Sequence, residues 1–402
     1  MSFIDRYLPA VLVDSIRRDI AISDVQFSTL QTAFALTYAA TTLASGWLAD
    51  RTHRLGLLLV GVTLWGIGAL AFGLATDLTS LLTARILIGL GEAMLGPAGI
   101  SLICDFLRPE QRGRAIALTY FGATVGTSLA FSGGGLMLER AQAGAFAGAP
   151  FIGGMADWRQ VVLIFGIIGF AFLPLLGMFK EPQRRFDPKA EGGGGFAALW
   201  RLRGTLWFVL LAGASLALAD FAYTTWQTAL LTRTYKIGAG AAGQYLGLTA
   251  LVAGTAGAWI GGLWSDRAHA ARGAAGRAGV LGWCALGLVS SAVLLLVPFS
   301  WAAVGAFAIW QMFANIGYVI CAVALQDLVT DRSRALAAAL SVCLGIGVGL
   351  GFGPTSVALL NETIGRGGDA LALSLLIVLA TMGIATLALA VGLRARLMKT
   401  ST

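Results

Sequence analysis

Residues 46–55 read Gly46-Trp-Leu-Ala-Asp50-Arg51-Thr-His-Arg54-Leu55, a charged decapeptide wedged between apolar runs at 27–49 and 56–75. About 20 apolar residues in helical form cross the hydrocarbon core of a bilayer. The decapeptide is therefore the water-facing turn between two spanning helices. A second copy, Gly262-Leu-Trp-Ser-Asp266-Arg267, closes another apolar run 216 residues later.

The whole chain keeps to that pattern. Of its 402 residues 57% are hydrophobic and only 12% charged, against roughly 25% charged in an average soluble domain. A water-soluble globule is excluded. The 54 glycines fall inside the apolar runs as well as between them, as in membrane helices that pack backbone to backbone. The net charge of +8 is spread over several loops and forms no single stripe, so nucleic acid is not an expected partner. Cys104, Cys284, Cys321 and Cys343 lack a CxxC spacing, and His53 and His269 are far apart. No disulfide framework, metal site or cofactor is expected. Asp5 and Arg6 interrupt the first apolar stretch, so no cleavable signal peptide is expected.

Apolar runs between charge clusters predict twelve spanning helices, near 3–20, 27–49, 56–75, 79–103, 115–138, 160–179, 205–230, 243–264, 278–298, 301–325, 335–359 and 370–393. The fold class is an all-α polytopic membrane protein of two six-helix bundles. The first span is short of apolar length, so either the chain begins inside its first helix or its natural start lies upstream. One long polar stretch, residues 181–204 with Gly192–Gly195, separates an N-terminal bundle, 1–180, from a C-terminal bundle, 205–402. Loops on the linker's side, with the C-terminal tail, hold 19 Lys and Arg residues against seven on the other side. The positive-inside rule then makes both termini cytoplasmic, in a multi-pass protein of the cell's inner membrane. The repeated turn supports two parallel six-helix repeats around a midplane site; two unrelated helix ends with coincidental charges are the alternative.

Two intramembrane stretches carry chemistry. Apart from Arg17 and Arg18 at the end of the first span, Arg6, beside Asp5, and Arg85 are the only basic residues within the spans, and Glu92 follows Arg85 by seven residues, on the same helix face two turns on. Ionisable groups at membrane depth normally face the bundle interior and function with a partner; a purely structural ion pair is the alternative for Glu92. Two carboxylates and two guanidiniums in one half-bundle can exchange partners when a carboxylate takes a proton. Arg6 and Arg85 are expected to bind substrate, one meeting an anionic head while the other stays with a carboxylate. Asp220, a lone acid, is an expected cavity residue, with an interfacial water as the alternative; Tyr120, Tyr223, Trp226, Trp310, Asn315 and Tyr318 are cavity candidates, and for the aromatics a lipid-facing or interfacial place is the alternative. At the turn, Gly46, Asp50, Arg51 and Arg54, with Asp266 and Arg267, are expected to form a cytoplasmic gate. Asp50 should approach the segment near Arg334 and Asp266 the segment near Arg114, unless the charges serve topology alone. Gly349-Leu-Gly351-Phe-Gly353-Pro354 lacks the Lys-Ser/Thr of a nucleotide loop, so ATP hydrolysis is not expected. Nor does any nucleophile or acid–base set mark an enzyme.

The turn at Gly46–Arg54 resembles the signature motif of the major facilitator superfamily, with His53 where Gly is usual. Arg85-Ile-Leu-Ile-Gly89-Leu-Gly91-Glu92 resembles that superfamily's second motif. Ile4-Asp5-Arg6, Asp14-Ser-Ile16-Arg17, Ser23-Asp24, the run from Gly91 through Asp105, and Trp226–Arg233 are together similar to the spinster-like branch, which includes lysolipid and sphingolipid-phosphate transporters. The segment 139–156 departs as an insertion, and Asn361 stands where Asp is common. The resemblance implies a major facilitator fold and a monomer. It also implies proton coupling through Asp5 and Glu92, with membrane lipids, protons and a small amphiphilic anion as partners. Transport of small organic anions or drugs in the same fold is the alternative.

Overall fold

The computed structural model describes residues 2–182, 202–329, 331–365 and 368–400; within its helices the side chains of Asp50, Arg114, Tyr120 and Arg334, among others, lie outside the description. Most of the four-glycine linker, 183–201, lies outside it too. The described residues are all-helical. Nine of their helices are long and apolar enough to cross a membrane.

The chain divides into two compact units, Met1–Gly192 with Gly238–Gly247, and Gly193–Ile237 with Leu248–Thr402. The first contains α1 (Ser2–Ile20), α2 (Asp24–Arg51), α3 (Arg54–Leu74), α4 (Leu78–Phe106), α5 (Pro109–Gln142), α6 (Asp157–Phe170) and the short α7 (Leu173–Gly177). Local sequence sets these boundaries. Ala21 takes a left-handed φ of 55° and ends α1. Ser23 then caps α2, its Oγ accepting from the Gln26 amide at 3.1 Å while Gln26 Oε1 accepts from the Ser23 amide at 2.9 Å. Asp77 caps α4 through the Ser80 amide at 2.8 Å; the amide and hydroxyl of Ser80 hold its carboxyl below the usual carboxylate value.

Helix α4 packs along both α2 and α3, and two glycines of the Arg85–Glu92 motif make that possible. A Cβ on Gly89 would sit 2.9 Å from the carbonyl oxygen of Phe34 in α2. One on Gly91 would overlap the main-chain nitrogen of Trp65 and stand 2.5 Å from the carbonyl oxygen of Gly61, both in α3. The main chains therefore touch where the charged residues face inward. Gly96 is open: a Cβ there would have nothing within 4 Å. Gly91→Ala should accordingly lower stability in detergent by about 1–3 kcal/mol through overpacking, while Gly96→Ala should be neutral or slightly stabilising. Thermal unfolding of the two variants side by side checks the difference.

The second unit is built on α8 (Arg203–Arg233), which packs against α10 (Ser300–Leu328), a π segment (Gly345–Leu350), α12 (Gly351–Ile364) and α13 (Gly368–Thr400). Helix α11 (Asp331–Leu344) leads into the π segment. Between α8 and α10, α9 (Ala239–Leu294) runs for 56 residues, roughly 84 Å at 1.5 Å per residue and over twice a membrane's need. It breaks at Arg272 and Gly273, the latter with φ 57°. The spans expected at 243–264 and 278–298 are its two arms, and the expected loop between them is largely helical. The span expected at 160–179 corresponds to Asp157–Gly177, within which α6 ends at Phe170 and the chain turns briefly before α7. The run at 345–354 is a packing face. Cβ atoms on Gly349 and Gly353 would run into Ala217 and the Leu218 carbonyl of α8.

Candidate functional site

In the first unit, α1, α2 and α4 bring the intramembrane charges together. Arg6 Nη2 donates to Glu92 Oε2 at 2.7 Å, a buried ion pair with Glu92 only 2% exposed. Arg85, 1% exposed, donates to neutral oxygens instead, Gln31 Oε1 at 3.0 Å and the Asp5 main-chain carbonyl at 3.4 Å. Asp5 is buried and acts electrostatically on both Glu92 and Arg85. Aromatic rings surround the cations. Phe34 lies 5.5 Å from the Arg6 guanidinium and 5.7 Å from that of Arg85, Tyr38 lies 5.2 Å from Arg6, and Phe72 lies 5.1 Å from Arg85. Such ring faces partly replace the hydration the guanidiniums have lost. Arg6 Nε, Arg85 Nε and Glu92 Oε1 remain buried with no hydrogen-bond partner among the described residues. Buried polar atoms normally find one, so three in one cluster leave bonding capacity for another arrangement.

The charges are visible in the sequence, whereas Gln31, Phe34, Tyr38 and Phe72 do not stand out in it. A signal is present on α2, where Gln31, Phe34 and Tyr38 follow at spacings of three and four and so share a face.

The other expected cavity residues with described side chains belong to the second unit. Asp220 on α8 is 8% exposed; it accepts from Trp310 Nε1 at 3.1 Å and from the Tyr318 hydroxyl at 3.4 Å. Tyr223 and Trp226 are fully buried in the second unit, where Trp226 Nε1 donates to the Pro354 carbonyl at 2.9 Å and the Tyr223 hydroxyl to that of Ala303 at 3.5 Å. They join α8 to its neighbours. Asn315 donates to the Gln311 carbonyl one turn back at 2.8 Å. The side chain of Tyr120 lies outside the described residues.

At the turn between α2 and α3 the two arginines behave differently. Gly46 makes no close approach, and Arg51 lies over its own helix's Trp47 ring at 4.3 Å, donating to the Trp47 carbonyl. The organising cation is Arg54. It is buried, pairs with Asp105 at the end of α4 and with Glu181 Oε1 at 3.1 Å, and donates to Ser101 Oγ at 3.1 Å. Glu181 also accepts from the amides of Arg54 at 3.1 Å and Leu55 at 3.0 Å, capping α3. Burial raises its carboxyl pKa, but those amides, the guanidinium and His53 outweigh burial and hold it below the usual value. The cap is therefore intact above the ordinary carboxylate range and is lost on acidification through the depressed value. By sequence alone Glu181 falls in the linker.

The second unit repeats the device. Arg277, just past the break in α9, pairs with Asp327 at the end of α10 and donates to Ser265 Oγ at 3.0 Å. The expected approaches of Asp50 and Asp266 to the Arg334 and Arg114 segments fall on side chains outside the described residues. Arg54→Ala would remove the buried guanidinium that Asp105 and Glu181 share and should cost about 3 kcal/mol or more. Arg51→Ala should cost under about 0.5 kcal/mol. Unfolding midpoints of the purified variants decide this.

The family model described as the Major Facilitator Superfamily matches residues 1–354. Over 95% of this chain and 87% of its own length, an MFS-type efflux pump of Mycolicibacterium smegmatis is 26% identical. Protein spinster of Drosophila melanogaster is 27% identical over 46% of this chain, a match that spans only 28% of spinster itself. The crystal structure of a bacterial homologue of the human lysosomal transporter spinster, inward-facing and occupied, superposes with a TM-score of 0.80 at 23% identity, covering 98% of this chain and 92% of that one.

Proposed function

This chain belongs to the major facilitator superfamily, a family of transporters, and on that premise we propose that it is a proton-coupled secondary transporter of an anionic amphiphile. The solute we assign is a lysophospholipid or a sphingoid phosphate, moved by alternating access. In this reading the protein spans the inner membrane twelve times as a monomer of two six-helix bundles, with both termini cytoplasmic.

One observation carries the proposal. Two buried guanidiniums share the Phe34 ring, Arg6 paired with Glu92 at 2.7 Å and Arg85 hydrogen-bonded, among the described residues, to neutral oxygens. A buried cation without a carboxylate partner is costly unless an anion sometimes joins it. A phosphate head supplies that anion and bonds a planar guanidinium in bidentate fashion. Protonation of Glu92 releases Arg6 as a second guanidinium, and protonation of Asp5 removes a negative charge acting on Glu92 and Arg85, so proton binding and head-group binding are linked. The aromatic faces of Phe34, Tyr38 and Phe72 keep this exchange in a low-dielectric setting, where each charge has a large effect.

The test is uptake into proteoliposomes of a panel of lysolipids and small organic anions, with and without an imposed pH gradient. Gradient-driven, saturable uptake of the lysolipids supports the reading. Preferential uptake of the small anions moves the assignment to the organic-anion or drug alternative, and transport indifferent to the gradient removes the proton.

A further inference from the structure

The second unit holds a charged group that the anion chemistry does not use. Asp220 lies within the 31-residue α8, 13 residues from its nearer end, which at 1.5 Å per residue is roughly 20 Å of helix. Its carboxylate has two donors, the Trp310 indole N–H on Oδ1 and the Tyr318 hydroxyl on Oδ2. Neither carries positive charge. Among the described residues no Lys, Arg or His forms an ion pair with Asp220 or acts on its charge. The titratable groups α8 and α10 bring to it are the phenol of Tyr318 and, one turn on in α8, that of Tyr223. Rings stand close by: Tyr223 meets Trp310 edge-on at 5.8 Å and Phe307 at 5.6 Å.

Both hydrogen bonds are neutral, so they leave the charge of the carboxylate uncompensated, and a buried charge is normally paired. A carboxylate at this depth is explained by a cation that reaches it. We propose that Asp220, with the rings of Trp310, Tyr223 and Tyr318, forms a binding site for an organic ammonium group, the carboxylate supplying the counter-charge and the rings the π faces that attract alkylated nitrogen. The donors on both oxygens orient the carboxylate without neutralising it. A proton competes for the same position, so binding of the ammonium weakens as the carboxyl becomes protonated. The site goes beyond the anion reading and stands without it.

The experiment measures equilibrium binding of radiolabelled benzyltrimethylammonium to the purified full-length protein in detergent. Neopentylbenzene, its neutral isostere with carbon in place of nitrogen, serves as the comparison. The ammonium should bind saturably, at least about tenfold more tightly than the isostere, and lose affinity as the pH falls. Asp220→Asn should remove at least about tenfold of the ammonium affinity and leave the isostere unchanged. Trp310→Phe, which retains a ring, should preserve the preference for the cation, and Trp310→Leu should diminish it. That ratio reports on charge recognition even where a variant is less stable. Arg85→Gln, which disables the anion site, should leave ammonium binding intact, so each site's failure is read separately. The proposal is overturned by equal affinity for the isostere, by unchanged ammonium binding in Asp220→Asn, or by no saturable binding up to about 10 mM.

Discussion

Glu92→Gln should reduce pH-driven transport to background while solute exchange across a membrane without a gradient stays measurable. The amide mimics a permanently protonated acid. It can still accept from Arg6, now 2.7 Å from Glu92 Oε2, but it cannot give up a proton or restore the counter-charge. Removing one charge from a buried pair changes its free energy by about 3–5 kcal/mol. That is enough to bias the equilibrium between paired and released arrangements more than about hundredfold. The protein should then be held with Arg6 available, able to bind and exchange solute but blind to the gradient. Flux in proteoliposomes is the measurement, with gradient-driven uptake and counterflow recorded on the same preparation. Unchanged pH dependence would move coupling to another acid, with Asp5 the first to examine because it acts on the same Glu92 and Arg85.

What is legible in the sequence follows from cost. An ionisable residue in an apolar run is so unfavourable that its presence announces a site, so Asp5, Arg6, Arg85, Glu92 and Asp220 can be named from the chain alone. Their pairing is only partly legible. That Arg6 meets Glu92 follows from the scarcity of partners at that depth, but that Arg85 takes the amide of Gln31 depends on how α2 lies along α4. Gly89 fixes that arrangement, and its role is visible only once Phe34 is found against it. Glu181 is hidden for a different reason. Acids are ordinary in a polar linker, and only the open amides at the start of α3, together with Arg54, set this one apart. Aromatic residues give the weakest signal. The chain alone names Tyr223 and Trp226 but not their hydrogen bonds to Ala303 and Pro354, and it does not single out Phe34 and Phe72, which lie over the cations.

Lengthening the solute's acyl chain should strengthen binding steeply while the head is held constant. The guanidinium cluster can recognise a phosphate without regard to what the phosphate carries, so the head alone does not distinguish a lysolipid from a small organic anion. The tail does. Each methylene transferred from water to an apolar surface contributes about 0.8 kcal/mol, so going from about eight to sixteen carbons could add roughly 6 kcal/mol at full burial, about four orders of magnitude in affinity. Micelles compete for the same tails and shrink the apparent gain, so free monomer concentration must be the reference. The measurement is competition binding to purified protein by alkyl phosphates of graded length, with Arg85→Gln as the control for head recognition. In wild type, affinity should climb with length; in Arg85→Gln the whole series should weaken while the slope is kept, because head and tail contribute at separate places. A flat series, with the shortest anion binding as well as the longest, would mean that no apolar path receives the tail. The lipid assignment would then give way to a small-anion transporter built on the same pair of guanidiniums, with Arg85 rather than chain length setting its specificity.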